Sequence, residues 1–319
     1  MSRAPSITIL LPVYNGAKHI AAAIESALAQ SDQDFELLVG NDGSTDETRD
    51  IVLRFTDPRI RFIDSTMNRG QFGNLNHLLG HVRTDLIKFL CHDDILMPEC
   101  VAAHRHFFAI HENAVVSMCQ AEMFNESGVL GYWPIVSTPF VYESRQALQL
   151  FLYHGCAPGN LTAVCVRREA LSRIDGFDVS YSIAGDYDAW VRACEAGGGL
   201  GDLQQCLIRE RHHDGRVSFA SGAGVCFVRE NRRIRARLLP LMPLSIRRNA
   251  ARFVYLRPNV LDTNQFLSYL RHGHPKHALE LLRVMGSDLP LGLLLWLLTL
   301  NNRLYRPKPR YADMPAEAP

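Results

Sequence analysis

One rhythm constrains this chain more than any other feature. Short apolar runs alternate with stretches of helical period, and the apolar runs open into polar loops. Ser6–Pro12 is apolar but for Thr8 and stops at a proline. Ala17–Gln30 then carries apolar residues at helical spacing. Phe35–Gly40 is a second apolar run and leads into Asn-Asp-Gly-Ser-Thr-Asp at 41–46. A helix is expected over Thr45–Phe55, a strand over Ile60–Ile63 and a helix from Gly73 to Gly80. Leu86–Leu90 is the fourth strand and ends in His92, Asp93 and Asp94. Pro98–His111 follows as a helix with proline near its first turn. Short connections between such elements predict an α/β fold, a mostly parallel sheet sandwiched by helices. Ligands of open sheets of this kind sit outside the carboxyl ends of the strands. Tyr14, Asn15, Asp42, Asp93 and Asp94 are therefore expected at one sheet edge.

The rest of the chain is less regular. Residues 112–180 are mixed, with Ala163–Val166 reading as a strand that enters a helix. Asp186–Glu195 is helical in pattern, and Gly197–Gly199 reads as a helix end. The charge balance changes near residue 225. Of 319 residues in all, 1–224 carry 18 Lys/Arg against 27 Asp/Glu, whereas 225–310 carry 16 against 4. A boundary there predicts a first domain over 1–224 and a basic, mostly helical region over 225–319. Within the latter, Gln265–Leu270 and His277–Val284 read as a helical hairpin around Gly273. The formal net charge of +1 supplies no global field for nucleic acid. The local basic excess suits an anionic lipid surface, or simply a solvated face.

Other classes lose support from what is missing. The eight cysteines contain no C-x-x-C, so zinc-ribbon and thioredoxin readings fall away. The N-terminus has no signal-peptide pattern, so a reducing cytoplasm with free thiols is expected and the sequons at Asn125 and Asn160 carry no meaning. The apolar run Leu289–Leu300 is too short to span a bilayer as a helix. No G-x-G-x-x-G follows the first strand and no G-x-x-x-x-G-K-[ST] occurs.

The acidic pair Asp93-Asp94 lies between apolar residues after a buried strand. Two like charges in such a place bind a cation, take up a proton, or cap the following helix. Hard oxygen ligands suit Mg²⁺ or Mn²⁺. Pro-Val-Tyr-Asn-Gly at 12–16, Asn-Asp-Gly-Ser-Thr-Asp at 41–46, Asn68-x-Gly70 with Asn76, and His-Asp-Asp at 92–94 occur in fixed order. Together they resemble family 2 glycosyltransferases of the GT-A fold, with its Rossmann-like sheet, over residues 6–220.

That resemblance implies roles. Pro12 and Tyr14 would wall a nucleotide-base pocket beside Asn15 and Asn76. Asp42 would accept a hydrogen bond from the base edge. Asp93 would lie on the ribose and metal side, and Asp94 would ligate the metal. The alternatives are core filling for Tyr14 and an Asx turn for Asp42. Asp186 matches the catalytic base and is favoured over Asp188. His213 matches a late histidine, a third metal ligand or diphosphate contact, with His212 as its competitor. Arg211 and Arg216 are expected at the diphosphate. The pairs His104/His106 and His272/His274 read as surface residues. Three positions depart from the family: Cys91 for an acid, Leu75 for an arginine and Gly185 for a glutamate.

The implied activity is inverting transfer of a sugar from a nucleoside diphosphate sugar, with UDP the expected nucleotide, to a glycan or lipid-linked acceptor. Mn²⁺ or Mg²⁺ would assist. A binding module that has lost catalysis and a nucleotidyltransferase on a related sheet are the competing readings. The expected location is cytoplasmic, peripheral at a membrane through the C-terminal region, which could equally pack on a second copy in a homo-oligomer.

Overall fold

The computed structural model describes residues 5–133, 140–213, 223–247, 269, 271 and 273–286. Packing divides the chain into two units, Met1–Ala223 and Gly224–Pro319. Gln265–Leu270, the first half of the expected hairpin, and the run Leu289–Leu300 lie outside the described residues except for Tyr269.

The first unit is built on one sheet. Its strands are β1 (Ile7–Val13), β2 (Phe35–Asp42), β3 (Ile60–Ser65), β4 (Leu86–Phe89), β5 (Ile95–Leu96), β6 (Ala114–Asn125), β7 (Gly128–Tyr132), β8 (Phe140–Tyr142), β9 (Val164–Arg167) and β10 (Gly199–Arg211). The order is β3-β2-β1-β4-β9-β6-β10-β5, with β7 on β6 and β8 on β10. β1 pairs in parallel with β2 and β4, and β2 with β3. β9 runs antiparallel between β4 and β6. The result is a mixed α/β sheet whose parallel half was legible as alternation.

The helices of this unit are α1 (Ile20–Leu28), α2 (Thr48–Val52), α3 (Gln71–Leu79), α4 (Cys100–Ile110), α5 (Ser144–His154), α6 (Arg168–Arg173) and α7 (Gly185–Glu195). α1 shows why amphipathic spacing suffices. Ile20, Ala23, Ile24 and Ala27 are all fully buried, at spacings of three and four. They pack with Ile7, Ile9 and Leu11 of β1 in one core cluster.

β10 carries no period-2 signal because it is bulged. Its register against β6 shifts between Asp202 and Cys206, and Gln204 sits at φ 53°. His104, expected at the surface, is fully buried with Nδ1 2.9 Å from Ser117 Oγ; its neighbour His106 is exposed. α4 turns one face to the sheet, and 104 falls on it.

In the second unit, α8 (Ala223–Leu238) and α9 (Pro275–Gly286) bury Val225, Val228 and Leu281 between them. Arg229 meets Glu280 at 2.6 Å. No helix among the described residues is long and apolar enough to cross a membrane.

Candidate active site

The loops after β1, β2 and β4 and the end of β10 are stitched together by residues far apart in sequence. Pro12 pairs in register with Gly40. Tyr14 follows the strand and is 45% exposed, so it does not fill the core. Asn15 takes a left-handed φ of 50°, which asparagine tolerates. It accepts the Thr45 N–H on Oδ1 at 2.8 Å and donates its own N–H to Ser44 Oγ at 2.9 Å. Gly16 N–H donates to Thr48 Oγ1 at 2.8 Å. A Cβ at Gly16 would stand 2.7 Å from the His92 ring, so glycine is what lets the first loop reach the His-Asp-Asp loop.

Asp42 ends β2 with 2% exposure. Its two oxygens accept the Arg69 backbone N–H at 3.0 Å each. The carboxylate therefore pins a loop 27 residues on, and the local side-chain bond is made by Asn41, whose Oδ1 accepts the N–H of Ser44 three residues on at 3.1 Å.

Asp93 and Asp94 are adjacent but differently placed. Asp94 is 2% exposed. Its Oδ2 accepts from Thr162 Oγ1 at 2.7 Å and Asn160 Nδ2 at 3.0 Å, and its Oδ1 accepts the Arg211 N–H at 2.9 Å. Burial first, and the Asp93 charge second, push its pKa up, against these three donors. Asp93 meets His213 Nε2 at 2.9 Å through Oδ2. Burial would raise its pKa, but His92 and His213 outweigh that and hold the carboxyl below its ordinary value. Cys91 Sγ and oxygens of Asp93 and Asp94 lie within 4.8 Å of one another. Asp94, expected as the metal ligand, belongs to this cluster and accepts from three protein donors, whereas Asp93 next to it is turned to the histidine.

Arg211 donates Nε–H to the Asp93 carbonyl at 2.9 Å, and its guanidinium lies 4.5 Å over the Phe124 ring. His19 faces His213 at 5.4 Å between ring centroids. Burial, then the charges of Arg211 and His213, lower its pKa to about 4. Arg216 lies outside the described residues.

Asp186 sits in the first turn of α7, half-buried. Asp188 is 3% exposed and bonded to Arg192 at 2.6 Å, which also donates to the Ile174 and Gly176 carbonyls. Asp188 therefore braces the helix from inside. The Cys156 thiol is pushed up by burial and then by the Asp186 charge. From Cys156 a turn closes at Gly159, whose N–H donates to the Cys156 carbonyl at 3.0 Å. The next residue, Asn160, reaches Asp94. One short turn thus joins Cys156, whose thiol the Asp186 charge acts on, to Asn160 and the Asp93-Asp94 loop. Asn160, set aside as a meaningless sequon, and Thr162 were not legible as site residues.

Asn76 is placed differently from the expectation. It donates Nδ2–H to the Phe177 carbonyl at 2.7 Å and accepts the Phe177 N–H on Oδ1 at 2.8 Å. A Cβ at Gly176 would stand 2.4 Å from that Oδ1. Asn76 thus holds the turn that leads towards α7. Two of the three departures have packing reasons. Leu75 is fully buried. A side chain at Gly185 would meet the Phe72 ring at 2.6 Å.

Sequence comparison bears on this geometry. The pattern of glycosyl transferase family 2 matches residues 8–171. The chain belongs to that family. The match takes in the loops after β1, β2 and β4 and the 156–162 turn, and stops short of the Gly176 turn, Asp186 and His213. The chain is 28% identical over 222 residues to an uncharacterized glycosyltransferase of Rickettsia typhi, which covers 67% of this chain and 66% of that one. The chain thus spans just under two thirds of that relative's length. It is 28% identical over 185 residues to the UDP-Glc:α-D-GlcNAc-diphosphoundecaprenol β-1,3-glucosyltransferase WfgD of Escherichia coli, covering 58% of this chain and 68% of WfgD. Its fold matches the mannosyltransferase PcManGT of Pyrobaculum calidifontis, solved with GDP-Man and Mn²⁺. That match has a TM-score of 0.58 at 16% identity and covers 93% of this chain and 80% of that one. The chain thus has the α/β architecture of GT-A enzymes.

Proposed function

We propose that this transferase moves a sugar from a nucleoside diphosphate sugar to an acceptor hydroxyl by a single displacement with inversion. The observation that carries the reading is the Asp93–His213 contact at 2.9 Å, beside an Asp94 gripped by Asn160, four residues on from the Cys156 thiol that the Asp186 charge acts on. Asp186 is the proposed base. As the acceptor oxygen bonds to the anomeric carbon, its proton passes to the Asp186 carboxylate. The bond from that carbon to the phosphate oxygen breaks, and the nucleoside diphosphate leaves with the electron pair. Arg211 is the proposed diphosphate contact and Arg216 a second one. Tyr14 is proposed to stack on the base, with Pro12, Asn15 and Asp42 around it.

The donor set fits a divalent cation. The Asp93 carboxylate, held below its ordinary pKa, meets the His213 imidazole at 2.9 Å, and carboxylate oxygen is the ligand a hard cation prefers; the Cys91 thiol in the same cluster is a soft group and is not counted among the ligands. Asp93 and His213 are the proposed ligands, Asp94 the buried brace beneath them. A bound Mn²⁺ or Mg²⁺ would supply charge stabilisation to the leaving diphosphate. Asp93 is thereby assigned the part first expected of Asp94.

UDP is the proposed nucleotide and a lipid-linked or glycan chain the proposed acceptor, by analogy with the named reaction of WfgD. A carboxylate such as Asp42 accepts from uracil or guanine N–H groups alike, so base choice is an outcome of the test. The test is a donor panel of UDP- and GDP-sugars with Mn²⁺, reading acceptor-dependent release of nucleoside diphosphate. Asp186→Asn is expected to lose about 10²–10⁴-fold in kcat while keeping donor affinity. Turnover by that variant at the wild-type rate would remove Asp186 from the mechanism.

A further inference from the structure

Lys88 is fully buried in the middle of β4. A buried ammonium is costly unless hydrogen-bonded or paired. Its Nζ donates to the carbonyls of Thr162 and Val164, the second at 3.3 Å. Those carbonyls belong to the 3₁₀ turn Leu161–Ala163 and the first residue of β9.

Thr162 is also fully buried, and its side chain does two things at once. The hydroxyl donates to Asp94 Oδ2 at 2.7 Å and accepts the Cys91 N–H at 2.9 Å. It therefore grips both ends of the Cys91–Asp94 loop. Its own N–H donates to Asn160 Oδ1 at 2.7 Å, which aims Asn160 Nδ2 at the same Asp94 oxygen. The chain of contacts runs from Lys88 through the Thr162 backbone to the Thr162 hydroxyl, and from there to both ends of the loop that carries Asp93.

We infer that Thr162, held in place by Lys88, is a positioning residue for the cation-binding corner. Its hydroxyl fixes the loop so that Asp93 is presented to His213. This rests on the reading of Asp93 and His213 as the corner. Partners behind metal ligands are worth about 10–100-fold in affinity when removed. Thr162 touches neither ligand, so its effect on the ion passes through Asp94 and Cys91.

The experiment titrates Mn²⁺ alone into the full chain and follows the free ion by its EPR signal, with thermal unfolding in parallel. Thr162→Val keeps the shape and removes the hydroxyl; it is expected to raise the Mn²⁺ Kd about tenfold or more. Thr162→Ser restores the hydroxyl and is expected within about twofold of wild type, which a packing role for the methyl group would not give. Lys88→Met is expected to behave as Thr162→Val; if it does not fold, the Thr162 pair decides. A Thr162→Val protein with a lower Tm and an unaltered Kd overturns the inference. Asp93→Asn separates the two levels. Loss of Mn²⁺ binding in that variant with none in Thr162→Val sinks the positioning role alone. Binding that survives Asp93→Asn sinks the corner itself.

Discussion

Gly185 is where relatives are expected to carry a glutamate, and the fold gives a reason that can be measured. A Cβ built there would lie 2.6, 2.7 and 2.8 Å from three atoms of the Phe72 ring. Ordinary carbon contacts sit at about 3.5–4.0 Å, so the ring would have to retreat by roughly 1 Å. It has little room. Phe72 is 3% exposed and stacks on Phe177 at 5.8 Å. Phe177 in turn meets Phe89 at 5.9 Å and Trp190 at 5.8 Å. Overpacking of this kind costs about 1–3 kcal/mol. Replacing a helical glycine by alanine returns at most about 0.5–1 kcal/mol, and less at the first helical position. The clash therefore decides the sign, and Gly185→Ala should destabilise by about 1–2 kcal/mol. Phe72→Leu shortens the ring and costs its own packing. In Phe72→Leu/Gly185→Ala the clash is relieved, so the two changes should cost less together than their sum, with a coupling of about 1 kcal/mol or more. Urea unfolding of the four proteins of the cycle measures this directly. A neutral or stabilising Gly185→Ala, or a strictly additive double variant, would refute the claim that Phe72 excludes a side chain at 185.

Tyr14→Ala is expected to weaken UDP binding by about 1–3 kcal/mol, the worth of one base stacked on an aromatic ring, while Tyr14→Phe keeps it; calorimetry at fixed Mn²⁺ reads both, and an unchanged Tyr14→Ala would remove the stacking role. Burial first, then the Lys88 charge, lowers the pKa of His104 below its ordinary 6.5. The unfolded chain therefore binds the proton the folded chain refuses. The His104 contribution is complete above about pH 6.5 and is lost as the pH falls below it. His104→Gln should flatten the fall in unfolding free energy between about pH 7 and 5, and an unaltered slope would count against a buried neutral imidazole. Residues 225–310, with 16 Lys/Arg against 4 Asp/Glu, should float the full chain with anionic liposomes at low salt and release it as salt screens the charge; flotation that ignores salt would exclude the electrostatic account.

Much of this protein was written locally. The parallel half of the sheet follows from apolar runs alternating with helical periods, because a strand buried on both faces and a helix buried on one must show those patterns along the chain. The polar loops after those strands named the residues that gather at its edge. β10 stayed hidden because its bulge at 202–206 breaks the period that would announce a strand. His104 was misread because the face of α4 that meets the sheet is set by packing, not by the residue type.

The two aspartates after β4 mark the boundary between local and tertiary information. In sequence, Asp93 and Asp94 are neighbours of one kind and one charge. Their difference comes from donors supplied at positions 160, 162 and 211, which close on Asp94 and leave Asp93 facing His213. A carboxylate's chemistry depends on which groups surround it, and those groups come from distant parts of the chain. The sequence could therefore determine that acids would meet at this edge. Only the folded chain could decide which of them is sealed beneath it and which faces His213.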